Sequence, residues 1–236
     1  MKRFTLLALV LALVLSLGFA SPAAAATDGG RKAKVYVIHG IPGQDLGLDP
    51  ALPVDILVND AICLLKGFEF GQIVGPVRLN EGTYNFKISP ANSSAPCSNA
   101  PVITADVPFA RGETATVIAH LTEAGAPTAS KFVNDVSRIM PMMTRLTVMH
   151  TAAAPAVDLG VEVMLGDLKF GTKVGPLSNP NQLGPVNIPA YSYDVTLYPA
   201  GTDTAVFGPI TVDLKSRNAY FVYAVGSLTN NTFTQH

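Results

Sequence analysis

The chain has 236 residues, 16 Lys and Arg against 17 Asp and Glu, a formal net charge of −1 and a mean hydropathy of +0.33. Near-neutral charge excludes the basic face that nucleic acid demands, and the length allows one large domain or two of about 100 residues. The paucity of charge fits a chain rich in Val, Ile, Leu, Gly and Pro, and electrostatics alone name no partner.

The first element is a basic start, Met1-Lys2-Arg3, an apolar run from Phe4 to Phe19, and a small-residue segment from Ala20 to Ala26. That order predicts a signal peptide over residues 1–26, cut after Ala26 or, alternatively, Ala25. An uncleaved anchor is the competing reading, but the apolar run falls short of the roughly 20 residues that span a bilayer. The expectation is therefore a secreted or envelope product with no membrane span after cleavage.

From there two series of short segments run in the same order. Lys34 to His39 returns as Arg145 to His150, and Val54 to Asp60 resembles Val161 to Asp167. Phe70-Gly71-Gln72-Ile73-Val74-Gly75-Pro76 resembles Phe170-Gly171-Thr172-Lys173-Val174-Gly175-Pro176, Tyr84 to Ala91 resembles Tyr193 to Ala200, and Ala115 to Ala119 resembles Ala219 to Tyr223. Matches in constant order indicate a duplication, and two copies suit two domains better than a solenoid. Each segment reads as a strand, short, rich in β-branched and aromatic residues and bounded by Gly, Pro or Asn. In Thr83 to Ser89 the alternation puts Tyr84, Phe86 and Ile88 on one face, as in a half-buried antiparallel strand. About seven such segments per copy predict two tandem immunoglobulin-like antiparallel β-sandwiches, an all-β fold, over residues 27–140 and 141–236. The absence of Trp excludes the core of a true antibody domain.

The two cysteines, Cys63 and Cys97, lie in the first copy. In an exported chain they are expected to pair, closing a loop worth about 3 to 4 kcal/mol. A catalytic thiol or a metal ligand is the alternative, without CxxC-type spacing to support it.

The series of His39, Val54-Asp55, Phe70-Gly71, Gly82-Thr83-Tyr84, Pro90-Ala91 and Gly112 to Ala119 is similar to the DUF4397 family of exported proteins. The second series, His150, Val161-Glu162 or Val157-Asp158, Phe170-Gly171, Tyr191 to Tyr193 and Pro199-Ala200-Gly201, follows it, with Leu177 to Gly184 read as an inserted loop. The resemblance implies a tandem β-sandwich at the cell surface or in the envelope, with no catalytic residues to carry over.

His39, His150 and Asp55 are the candidate ligand residues. Each histidine ends a strand before a Pro- or Ala-rich loop, where a ring donates to a backbone carbonyl and fixes the strand end, or instead serves as ligand or proton carrier. His39 paired with Asp45, Asp49 or Asp55 is the version that would make a site. Asp55, with Glu162 or Asp158 as counterpart, is half of a possible carboxylate pair, although capping a turn or meeting solvent is the simpler role. No nucleophile elbow and no phosphate loop occur, and the Phe-Gly-x-x-Val-Gly-Pro motif reads as a turn. The aromatics Tyr191, Tyr193, Tyr198, Tyr220, Phe221 and Tyr223 could form a binding patch, although alternation makes at least half of them core. The expected function is a non-catalytic module, without catalytic, cofactor or metal residues, that binds a surface polymer, an exported protein or itself. The alternative is a secreted hydrolase or metal-dependent enzyme using His39 or His150 with nearby carboxylates.

Overall fold

The computed structural model describes residues 31–165 and 168–235, and the expected leader over residues 1–26 lies outside them. Among the described residues no helix is long and apolar enough to cross a membrane. The first unit contains β1 (Ala33–His39), a 3₁₀ turn (Gly43–Leu46), β2 (Val54–Val58), β3 (Ile62–Phe68), β4 (Ile73–Leu79), β5 (Gly82–Pro90), β6 (Ile103–Phe109), β7 (Thr114–Leu121) and β8 (Pro127–Val133). The second contains β9 (Met143–His150), β10 (Val157–Leu165), β11 (Leu168–Leu177), β12 (Gln182–Pro189), β13 (Ser192–Pro199), β14 (Phe207–Asp213), β15 (Ala219–Val225) and β16 (Thr234–Gln235).

The two units share one topology. Sheet orders β4-β1-β7-β8 and β3-β2-β5-β6 in the first recur as β12-β9-β15-β16 and β11-β10-β13-β14 in the second, so the protein is two tandem β-sandwiches. One ladder in each is parallel, β1 with β7 and β9 with β15, and the others are antiparallel. Alternation builds the first core: Val35, Val37, Ala115, Val117, Ala119 and Leu121 on one sheet face Val54, Ile56, Val58, Phe86 and Ile88 on the other. The opposite faces of β1 and β7 are not surface. Ile38, Ile118 and Phe132 pack on Met149, Tyr223 and Val225, joining the sandwiches through an apolar seam in which the Phe132 and Tyr223 rings lie 5.9 Å apart.

Cross-strand partners correct the internal alignment. Val54 faces Pro90 and Phe68, and Val157 faces Pro199 and Leu177, so Asp55 corresponds to Asp158 and not to Glu162. Phe170 to Pro176 lies in β11, the equivalent of β3, whereas Gly75-Pro76 lies in β4, whose equivalent β12 carries Gly184-Pro185. The stretch from Leu177 to Gly184 is thus no insertion: residues 178–181 join β11 to β12 as residues 69–72 join β3 to β4. The extra length sits in the β10–β11 hairpin. Gly-Pro also sits in strand interiors rather than in turns: Gly75-Pro76, Gly175-Pro176, Gly184-Pro185 and Gly208-Pro209 coincide with the register shifts of their ladders. A proline that cannot donate to a ladder is tolerated where a bulge has already interrupted it.

Candidate functional site

His39 and His150 occupy equivalent strand ends, as the pairing of Lys34 with Thr114 and of Arg145 with Ala219 requires. Both rings are fully buried. His39 Nε2 lies 2.9 Å from the Leu52 carbonyl oxygen, and its Nδ1 accepts the Ile41 N–H at 3.3 Å. His150 repeats the arrangement with the Pro155 carbonyl at 3.0 Å and the Ala152 N–H at 3.4 Å. A ring bonded this way is a neutral tautomer, Nε2–H donating and Nδ1 accepting, with both nitrogens used to pin the loop that follows the strand. Burial lowers the pKa of each, against the raising effect of the carbonyl contact.

The carboxylates suggested for His39 are used elsewhere. Asp49 Oδ1 accepts the Ala51 N–H at 2.9 Å. Asp45 reaches the other sandwich, accepting Thr232 Oγ1–H and Asn230 Nδ2–H. Asp55 is 1 % exposed and accepts three backbone N–H groups: Gly67 at 2.9 Å, Asn92 at 3.1 Å and Cys97 at 2.8 Å. Gly67, at φ +57°, supplies a donor from a left-handed conformation that suits glycine. Desolvation pushes the Asp55 carboxyl up, but the three amides and the nearby Lys66 charge outweigh it, and the group titrates below its ordinary range. Cys97 also closes the disulfide with Cys63, S–S 2.06 Å, so carboxylate and covalent bond pin the same long loop. Solvent is not the partner of Asp55.

The equivalent Asp158 accepts one of these bonds, from Gly201 N–H at 2.8 Å. Where Asp55 has Gly67, Asp158 has Pro176, which carries no N–H, and the second unit has no cysteine loop.

A third buried histidine, His120 on β7, was not singled out by sequence. Its Nε2 lies 2.8 Å from Ser130 Oγ and its Nδ1 2.9 Å from the Leu121 carbonyl. Burial, and then the neighbouring His150, lower its pKa. The signal for it is faint: alternation puts His120 on the side of β7 facing away from its own core, and only the seam between sandwiches buries it. Among the described residues no three His, Cys, Asp or Glu side chains group as a metal site requires.

The aromatic cluster divides. Tyr193 and Tyr223 are buried, Tyr191 is exposed, and Tyr198, Tyr220 and Phe221 are partly covered. Burial pushes the Tyr223 hydroxyl up to about 12. The Tyr198 ring lies under the Lys173 ammonium at 4.2 Å.

An apolar concavity lies elsewhere. Between the sheets of the second sandwich is an apolar cavity of about 260 Å³, against about 10 Å³ at the equivalent place in the first. Three rings explain the difference: Phe68, Phe86 and Phe109 of the first core are replaced by Leu177, Val195 and Leu214. Val35, Val37, Phe86 and Val117 are fully buried, whereas their equivalents Leu146, Val148, Val195 and Val222 remain partly exposed, so solvent reaches the second core. Phe207 and Phe233, stacked edge-on at 5.3 Å, lie among the lining residues.

Fold and sites together define a disulfide-stapled all-β protein whose buried His39, His150 and Asp55 bind its own backbone. A family model described as "Domain of unknown function (DUF4397)" matches residues 33–160, and the chain belongs to that family. No curated protein matches. Among solved structures, the chain is similar to the Bacillus anthracis TIE protein at 12% identity and TM-score 0.23, covering 83% of this chain and 33% of that one. It is similar to the Streptococcal ancillary pilin at 10% identity and TM-score 0.22, covering 82% of this chain and 62% of that one. The chain thus spans less than two thirds of either.

Proposed function

We propose that the chain is an exported, non-catalytic binding or structural module of the cell exterior, made of a leader over residues 1–26 and two DUF4397-like domains over 27–140 and 141–236. Its partner is a surface polymer, another exported protein or a second copy, and it uses no cofactor. The observation that carries this reading is the employment of the candidate residues: His39, His150 and Asp55 each spend their polar atoms on backbone groups of adjoining loops. A side chain so committed stiffens the sandwich and turns its polar atoms to the chain's own backbone rather than to a substrate. The disulfide supports an oxidising compartment.

The test is co-sedimentation of the purified chain, beginning at Thr27, with cell-wall sacculi and with isolated surface polysaccharide, beside turnover assays on chromogenic esters, phosphates and glycosides. Saturable retention without turnover is the expected result. Turnover that disappears in folded His39→Asn or His150→Asn protein would replace this reading with the hydrolase.

A further inference from the structure

Two buried imidazoles meet where the sandwiches touch, and one chain of hydrogen bonds links them across the seam. His120 Nδ1–H donates to the Leu121 carbonyl at 2.9 Å. The same oxygen accepts Nδ2–H of Asn179, in the loop joining β11 to β12, at 2.8 Å, and Asn179 Nδ2 also donates to the Ala152 carbonyl at 2.6 Å. Ala152 N–H donates to His150 Nδ1, and His150 Nε2–H ends the chain on the Pro155 carbonyl. Leu121 belongs to the first sandwich and Ala152 to the second, so Asn179 fastens one to the other. His120, Leu121, His150 and Ala152 are each at most 1 % exposed.

The fold sets this cluster opposite the covalent join. Residues 134–142 connect the sandwiches, leaving the start of β7, where Asn134 N–H binds the Thr114 carbonyl, and leading into the start of β9. Arg145 pins that connection through the Asp135 carboxylate at 2.8 Å and the Ser137 carbonyl at 3.1 Å. His120 and His150 lie at the other ends of the same two strands. A covalent join at one end and a hydrogen-bonded one at the other have the layout of a hinge and a latch.

Neutral rings close this latch. His150 Nδ1 is an acceptor, and a proton there sets two N–H groups against each other and displaces Ala152, whose carbonyl holds Asn179. His120 Nε2 accepts the Ser130 hydroxyl at 2.8 Å, which can turn to accept from a charged ring, so the His120 proton is opposed mainly by burial and by a charge on His150. The charged groups around the pair are few. Glu123, exposed in the turn after β7, favours the His150 proton, and Asp213, which lines the cavity with His150, is paired with Lys215. One exposed carboxylate does not offset two buried cations. Burial holds both rings below their ordinary 6.5, a value they regain on reaching solvent, so below that pH proton uptake favours an open seam.

We propose that His120 and His150 form an acid-released latch: proton uptake by the pair frees Asn179 and parts the sandwiches at the seam, about the connection at residues 134–142, while each sandwich stays folded. The apolar faces carrying Ile118 and Phe132 on one side and Met149 and Tyr223 on the other are then uncovered in acid alone.

The experiment follows the purified chain by NMR and small-angle X-ray scattering from about pH 7 to about pH 5. The nuclear Overhauser cross-peak between the Phe132 and Tyr223 rings, whose centroids lie 5.9 Å apart, is expected to vanish on acidification and the radius of gyration to rise. The amides of Ile56 and Leu159, inside the two sandwiches, are expected to stay protected from exchange. A double variant, His120→Asn with His150→Asn, keeps an amide where each Nδ1 stood but does not titrate, and is expected to remain closed. A cross-peak that persists in the wild type at about pH 5, that is lost together with amide protection, or that is lost equally in the double variant overturns the latch. Should the double variant not fold, Asn179→Ala decides: opening at a higher pH than in the wild type supports the latch, and an unmoved midpoint overturns it.

Discussion

The two sandwiches share one topology and differ in how completely it is filled. In the first, Phe68, Phe86 and Phe109 occupy the space between the sheets, β8 closes the side, and the Cys63–Cys97 bond and Asp55 hold the long loop after β5. In the second, Leu177, Val195 and Leu214 leave a cavity, β16 covers two residues of β15, and Asp158 holds a single amide. The contrast teaches that strand order survives the loss of core volume, because it is set by alternation and ladder pairing, whereas interior density is set by a few large side chains. A sandwich relieved of those side chains keeps its shape and gains a concave apolar surface.

The largest expected effect that would break this contrast concerns the paired aspartates. Asp55→Ala removes the shared acceptor of three partly buried N–H bonds and should cost about 3–5 kcal/mol in urea unfolding, whereas Asp158→Ala should cost only about 1 kcal/mol. Equal losses would contradict the different roles assigned to the two positions. Next, replacing Cys63 and Cys97 together by Ser should cost about 3–4 kcal/mol by releasing the loop, read as a lower denaturant midpoint for the variant than for the oxidised wild type.

Acidification should act on both sandwiches through their histidines. His39, His120 and His150 all titrate below 6.5 when folded, so the unfolded chain binds protons first as pH falls. Stability should therefore be complete above pH 6.5 and be lost below it, by about 1.4 kcal/mol per pH unit for each histidine until its folded pKa is passed. Asp55, with a pKa below 3.8 when folded, adds a separate loss only in stronger acid. A melting temperature that is flat from pH 7 to pH 5 would contradict the neutral, backbone-bonded state of these rings. In the His120→Asn variant, which removes the ring at the seam, the slope should be smaller.

Much of this was legible in the sequence because it is local. Alternation in Thr83 to Ser89 placed Phe86 and Ile88 inward, where they are buried. The matching strand ends identified His39 with His150, and the single pair of cysteines is the observed disulfide. What was not legible depends on partners distant in sequence. The Phe-Gly-x-x-Val-Gly-Pro identity misled because Gly-Pro recurs at bulges of several strands, so a short match fixes neither strand nor register. Sequence offered both Glu162 and Asp158 as counterparts of Asp55, and the cross-strand partners Pro90 and Pro199 decide for Asp158. His120 was missed because the surface that buries it belongs to the other sandwich.

The most direct test of the unequal cores is a reciprocal exchange, Phe86→Val in one protein and Val195→Phe in another, with thermal and urea unfolding of each. Emptying the first core should cost about 2–4 kcal/mol, and filling the second should raise stability by about 0.5–2 kcal/mol. Destabilisation by both substitutions would show that the second core has no room for a ring and would contradict the account.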